Sequence, residues 1–173
     1  MWDQLEPYVV TPRRLRLARL SALQRIRRAK LATKDLSQVP VRLGLVPFSL
    51  GEYWFESGTI FIPCVSLYRT ETGPCSLVET LIHEYGHAAG EILLERNEHF
   101  TTEFAFAFCR KYAEHNPVSY RACSHVNEYA ATCGLEDFAE TYLALVRENG
   151  EISGDRPKAI QRKLRFVQAW AKA

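Results

Sequence analysis

The chain has 173 residues, of which 47% are hydrophobic and 24% charged. That is the length and composition of one domain with a core to bury, and it excludes a disordered tail. No apolar run approaches the roughly 18 residues that a membrane-spanning helix needs. Residues 1–10 carry Asp3 and Glu6 and lack the apolar stretch of a secretory signal. The expected compartment is the cytoplasm, with signal-independent export as an effector left open.

Net charge is +2, unevenly spread. Residues 1–34 hold nine Lys/Arg against two acids, a balance of +7, and the remainder holds thirteen against eighteen, a balance of −5. A basic arm on an acidic body can meet nucleic acid, an anionic membrane or an acidic partner, or can simply be a solvated helix face. The five cysteines, Cys64, Cys75, Cys109, Cys123 and Cys133, include no C-x-x-C pair, so no structural zinc knuckle is expected. They are expected as thiols. A Cys64–Cys75 or Cys123–Cys133 bridge would point instead to an oxidising compartment.

In chain order, Pro12 suits the first turn of a helix over 12–34, with Thr11 as its N-cap. Leu15, Leu20, Leu23, Ile26 and Leu31 roughly follow its apolar stripe, and arginines and lysines fill much of the rest. Val41, Leu43 and Leu45 alternate as in a strand. Pro47 and Gly51 punctuate, then Tyr53-Trp54-Phe55, a turn at Gly58 and the β-branched and aromatic run 59–62 complete a strand or hairpin region. Residues 63–74 read as a loop. Ser76 and Glu79 have capping-box spacing at the head of a helix reaching about Leu94. Further helices are expected over about 101–115, 135–148 and 156–172. Asn116-Pro117 breaks the first and Asn149-Gly150 ends the second. Helix, strands, then helices is an α+β order. Residues 1–36 read as a basic helical arm and 37–173 as the main domain.

The chemistry sits in His83-Glu84-Tyr85-Gly86-His87. On a helix, positions i and i+4 share a face, so two imidazoles can reach one tetrahedral zinc ion. Glu84 lies beside the first ligand, where a carboxylate can act as general base towards a zinc-activated water. The bland alternative is a pair of surface histidines. Against it, the motif sits in an apolar helix, with Leu77, Val78, Leu81 and Ile82 before it and Ala88, Ala89 and Ile92 after it.

A catalytic zinc keeps three protein ligands and one open position. A metzincin spacing would need histidine where this chain has Leu93, and leucine cannot ligate. His99 stands twelve residues past His87, broadly as in Spartan-like proteases. Glu103 has the placement seen in antirestriction peptidases. The remaining candidate is Glu136-Asp137-Phe138-Ala139-Glu140-Thr141-Tyr142. Glu136 and Glu140 share a helix face there, one to bind the ion and the other to hydrogen-bond a ligand histidine. Small Ala139 between them allows close packing. The bland reading of this run is an acidic helix start, which helix electrostatics favour anyway.

HEYGH together with the later E-D-F-A-E-T-Y resembles the zincin metallopeptidases of gluzincin type. The resemblance is closest to the branch that includes anthrax lethal factor, the Pro-Pro endopeptidases and small bacterial zinc peptidases, and it covers about residues 55–172. It implies that Glu136 is the third ligand and that Glu140 supports a ligand histidine. That branch often carries a tyrosine seven residues before the ligand glutamate. Tyr129 in Tyr129-Ala130-Ala131-Thr132 stands there, which implies an oxyanion donor. Where the family commonly has Asn-Pro, this chain has Cys133-Gly134. Cys133 as a thiolate ligand or inhibitory switch is a minor further reading. The implied fold is zincin-like: a small, mostly antiparallel sheet with an edge strand, assigned to 59–63, over the metal-binding helix, then a helical C-terminal half. The implied activity is zinc-dependent hydrolysis of a protein or peptide substrate, with Glu84 as base. The alternatives are a zinc-stabilised binding module, or a protease recruited to DNA, either using the basic arm.

Overall fold

A computed structural model describes residues 8–31, 35–46, 49–66, 76–96 and 124–170. Thr11 caps the first helix, α1 (Pro12–Arg28), its side-chain oxygen accepting the Arg14 N–H at 3.2 Å. The helix stops at Arg28, six residues short of the expected end. Lys30 takes a left-handed φ of 58°, and the Leu31 N–H closes back on the Ile26 carbonyl at 3.1 Å. Leu15, Ala18, Ala22 and Ile26 are buried. Arg19 spans outward from α1, donating to the Tyr85 hydroxyl at 3.2 Å and to the Ser37 and Val39 carbonyls at 3.1 Å each.

Two short strands, β1 (Tyr8–Val9) and β5 (Val65–Ser66), pair antiparallel. The main sheet has β2 (Val41–Gly44), β3 (Glu52–Trp54) and β4 (Thr59–Pro63), in the order β2-β4-β3. β2 runs parallel to β4 and β3 antiparallel to it. The expectation of a mostly antiparallel sheet with 59–63 at its edge is therefore corrected in two ways. The sheet is mixed, and β4 is its central strand, with β3 as the edge beside the helix that carries HEYGH. The burial of β4 explains its place. Ile60 and Ile62 are fully buried, which suits a strand covered on both flanks.

Ser76 heads α2 (Leu77–Arg96), its hydroxyl accepting the Glu79 N–H at 3.3 Å. The other half of the expected capping box is absent. The Glu79 carboxylate instead grips Arg147 at 2.9 and 3.0 Å, joining α2 to α3 (Gly134–Arg147). α4 (Lys158–Trp170) follows α3. The turn between them carries Asn149 at φ 53° and Gly150 at φ 78°; a side chain at Gly150 would strike the Ala29 carbonyl oxygen at 2.4 Å. Among the described residues this gives four α-helices and a three-stranded mixed sheet, an α+β fold. The helix expected over 101–115 lies outside the described residues. No helix among them is long and apolar enough to cross a membrane.

α1, α2, α3 and α4 share one core, which holds Leu15 and Ile26, Leu81 and Tyr85, Tyr142 and Leu145, and Leu164 and Val167. The Tyr142 hydroxyl donates to the Leu31 carbonyl at 3.0 Å, tying α3 to the end of α1. α4 is held by a buried ion pair. Lys163 is 1% exposed and donates to both Asp137 oxygens at 2.6 and 2.9 Å and to the Ser124 carbonyl at 2.8 Å. Replacing Lys163 by methionine leaves the buried Asp137 carboxylate without its ammonium partner, with His125 Nδ1 at 3.5 Å and the Thr141 hydroxyl at 3.4 Å still beside it. The expected loss of stability is about 3–5 kcal/mol, read as a lowered denaturant midpoint in an equilibrium unfolding curve.

Candidate metal centre

α2 and α3 approach closely at Gly86. A Cβ there would lie 2.9 Å from the Ala139 Cα and 3.2 Å from its carbonyl oxygen. The residues three before and one after this contact on each helix lie along the seam. On α2 these are His83 and His87; on α3 they are Glu136 and Glu140. Gly90 repeats the close packing against Phe138.

Three ligand-type atoms meet there. His83 Nε2 lies 3.1 Å from His87 Nε2 and 3.1 Å from Glu136 Oε2, and His87 Nε2 lies 3.5 Å from the same oxygen. They form a group able to hold a metal ion. Glu136 Oε2 is buried yet accepts no well-aligned hydrogen bond, short as these distances are. Ligands of a tetrahedral ion with bonds of about 2.0–2.1 Å stand about 3.3 Å apart. The donor set and its spacing thus fit such an ion.

The groups behind the triad are also ordered. Glu140 Oε1 lies 2.7 Å from His83 Nδ1, so the carboxylate accepts that N–H and, in the neutral imidazole, directs the lone pair to Nε2. The other Glu140 oxygen accepts from the Asn127 amide, whose oxygen in turn accepts the Ala130 N–H at 2.9 Å. That second bond fixes the short 3-10 turn Tyr129–Ala131. Tyr129 is 54% exposed, and its ring centroid stands 5.8 Å from that of His83. On the opposite side Phe55 meets the His87 ring edge-on at 6.4 Å.

Glu84 is buried next to His83. Two hollows meet at it. One, of about 460 Å³, runs over Thr80, Leu50, Leu143 and Arg147. The other, of about 350 Å³, runs over Tyr53, Phe55, Cys133 and Leu135. His83, Glu84 and Tyr129 line both, so a chain lying across the two would pass over them.

Electrostatics sort these groups. Burial pushes the Glu84 carboxyl above the ordinary range, against the pull of His83 and His87. Burial would also raise Glu136, but the His83 and His87 imidazoles, 3.1 and 3.5 Å from its Oε2, outweigh it and bring the carboxyl down to about 2. Burial would lower His83, but Glu136 and Glu140 outweigh it and raise the imidazole to about 10. Burial first, then the carboxylates of Glu136 and Glu84, push the Tyr129 phenol up to about 12, so it keeps its proton.

The structure brings together His83, His87, Glu136, Glu140, Glu84 and Tyr129. His99 and Glu103, the other candidate ligands, lie outside the described residues, as do Cys75, Cys109 and Cys123. Cys64 and Cys133 are exposed and in no disulfide, and Cys133 borders the second hollow. Of the aromatics 53–55 and 61, Tyr53 and Phe55 face the site, while Trp54 packs on Phe61 at 4.6 Å on the other side of the sheet. Asn127 is absent from the sequence expectations. Its signal was local: an asparagine three residues before Ala130, suited to accept a turn N–H. Comparison with family models, curated proteins and solved structures returned no match.

The metal-free chain should show a defined pH window. Glu136, whose pKa falls from 4.5 to about 2, adds stability above pH 4.5 that is lost as pH falls towards 2. His83, raised from 6.5 to about 10, adds stability below pH 6.5 that is lost as pH rises through 10. In chelator, the melting-temperature difference between wild type and Glu136→Gln should be greatest between pH 4.5 and 6.5 and shrink on either side.

Proposed function

We propose that this chain is a zinc-dependent metalloendopeptidase, with His83, His87 and Glu136 as ligands and Glu84 as general base. The observation that carries the reading is the meeting of the two imidazole nitrogens and the Glu136 oxygen within 3.5 Å of one another, beside a buried carboxylate that binds none of them. Two nitrogens and one carboxylate oxygen are a donor set that suits zinc. The spacing of HEYGH, Tyr129 and E-D-F-A-E resembles gluzincins, which supports the same reading.

When bound, the ion polarises the substrate carbonyl and lowers the pKa of water. The chain's own residues do the rest. Glu84 takes the proton of the attacking water and passes it to the leaving nitrogen. Its raised pKa suits both halves of that exchange. Tyr129, still protonated, donates to the oxygen on which negative charge develops. Glu140 and Asn127 hold His83 in one tautomer and one orientation. A zinc-stabilised binding module is the competing reading. It leaves unexplained why Glu84 is buried, unligated and shared by two hollows.

Elemental analysis should find one zinc per chain in the wild type and little in Glu136→Ala of unchanged circular dichroism. Glu84→Gln should keep the metal and lose cleavage of a peptide library by at least about 100-fold. Metal retained in Glu136→Ala, or activity retained in Glu84→Gln, would remove the assignment concerned. Tyr129→Phe should lower kcat by about 10²–10³-fold with little change in KM, measured on the same substrate.

A further inference from the structure

The far edge of the sheet carries a second surface. β2 borders the sheet opposite β3, and among the described residues no strand pairs with its outer side. Between this edge and α1 lies a groove of about 390 Å³, lined by Pro12, Leu15, Arg16, Arg19, Val41, Arg42 and Leu43. Its apolar part comes from both walls. Its charge is of one sign. The lining residues include no Asp or Glu, and in the sequence none occurs over 7–34 or 36–51. Arg19 bonds only to neutral oxygens, and Arg16 and Arg42 form no ion pair among the described residues. At the end of β2, Leu45 stands 95% exposed.

We infer that this groove docks an extended acidic peptide segment of a partner protein, which adds as a strand to the β2 edge. Strand addition supplies main-chain hydrogen bonds, and alternate side chains supply specificity. A bound strand turns every second side chain to one face. An alternating acidic and apolar segment would set its apolar side chains on Leu15, Val41 and Leu43 and its carboxylates on the other face towards Arg42, while Arg16 on the α1 wall adds to the positive charge along the groove. A nucleic acid fits less well: the groove offers no aromatic side chain for base stacking, and leucines and a valine line its walls. Because β2 and β3 are opposite edges, such docking leaves the metal centre open.

The test is fluorescence anisotropy with the full chain and a labelled ten-residue peptide of alternating Glu and Val. Control probes are the same peptide with Lys for Glu, the Glu/Val peptide N-methylated at alternate backbone nitrogens, and a 20-nucleotide single strand. Saturable binding of the Glu/Val peptide alone, weakened at least tenfold by Arg16→Glu with Arg42→Glu and by N-methylation, is the expected result. Arg27→Glu with Arg28→Glu, on the same helix but away from the groove, should change it by less than threefold. Equal binding of the N-methylated peptide, indifference to Arg16→Glu with Arg42→Glu, or tighter binding of the oligonucleotide would overturn the inference. Binding does not depend on catalysis, so none of these outcomes bears on the peptidase reading.

Discussion

The contact on which the arrangement depends is the approach of two helix backbones at Gly86 and Ala139. With a Cβ at Gly86 only 2.9 Å from a backbone atom, any larger residue would push α2 and α3 apart. That distance decides whether His83 and His87 can meet Glu136. Side chains of this length reach one another only across a seam without bulk between them. The same seam is closed at its other end by Glu79 and Arg147, so α3 is held at two points along α2. Steric fit sets the spacing, and a bidentate charge pair limits rotation.

Three glutamates in one small region have three different fates, and environment alone separates them. Glu136 faces two imidazoles and is held ionised. Glu140 faces one imidazole and an amide, which together outweigh its burial, and is also kept ionised. Glu84 pays for burial without a comparable hydrogen-bond partner from the imidazoles, and its proton affinity rises. A proton carrier and two fixed anions are the set of carboxylates that the proposed hydrolysis would use.

Much of the site was legible in the sequence because helix periodicity is strict. The spacing of His83 and His87 and of Glu136 and Glu140 allows few other geometries once each pair lies on a helix. The start of α3 and the Thr11 cap were legible for a similar local reason. Sheet order was not. Nothing in the run 59–63 tells which strand it will lie beside, and its parallel pairing with β2 brings together residues nineteen positions apart. The end of α1 was missed because Lys30 takes a left-handed conformation usually left to glycine or asparagine. Glu79 was read through its local capping role, whereas a cation 68 residues away claims its carboxylate. Asn127 escaped because its importance is relational. It matters only once Glu140 and the Tyr129 turn are known to be neighbours.

Adjacent residues of α3 have different partners: Glu136 looks to the imidazoles and Asp137 to Lys163 of α4. A rotation of α3 that spoils the ion pair would also displace the Glu136 carboxylate. If an ion at Glu136 steadies α3, the benefit would be reciprocal, the ion pair steadying the ion to the same degree. Slower amide exchange along α4 would then be a remote signature of filling the centre. In this sense α4 would be a gauge of the site, reached through a single turn of backbone.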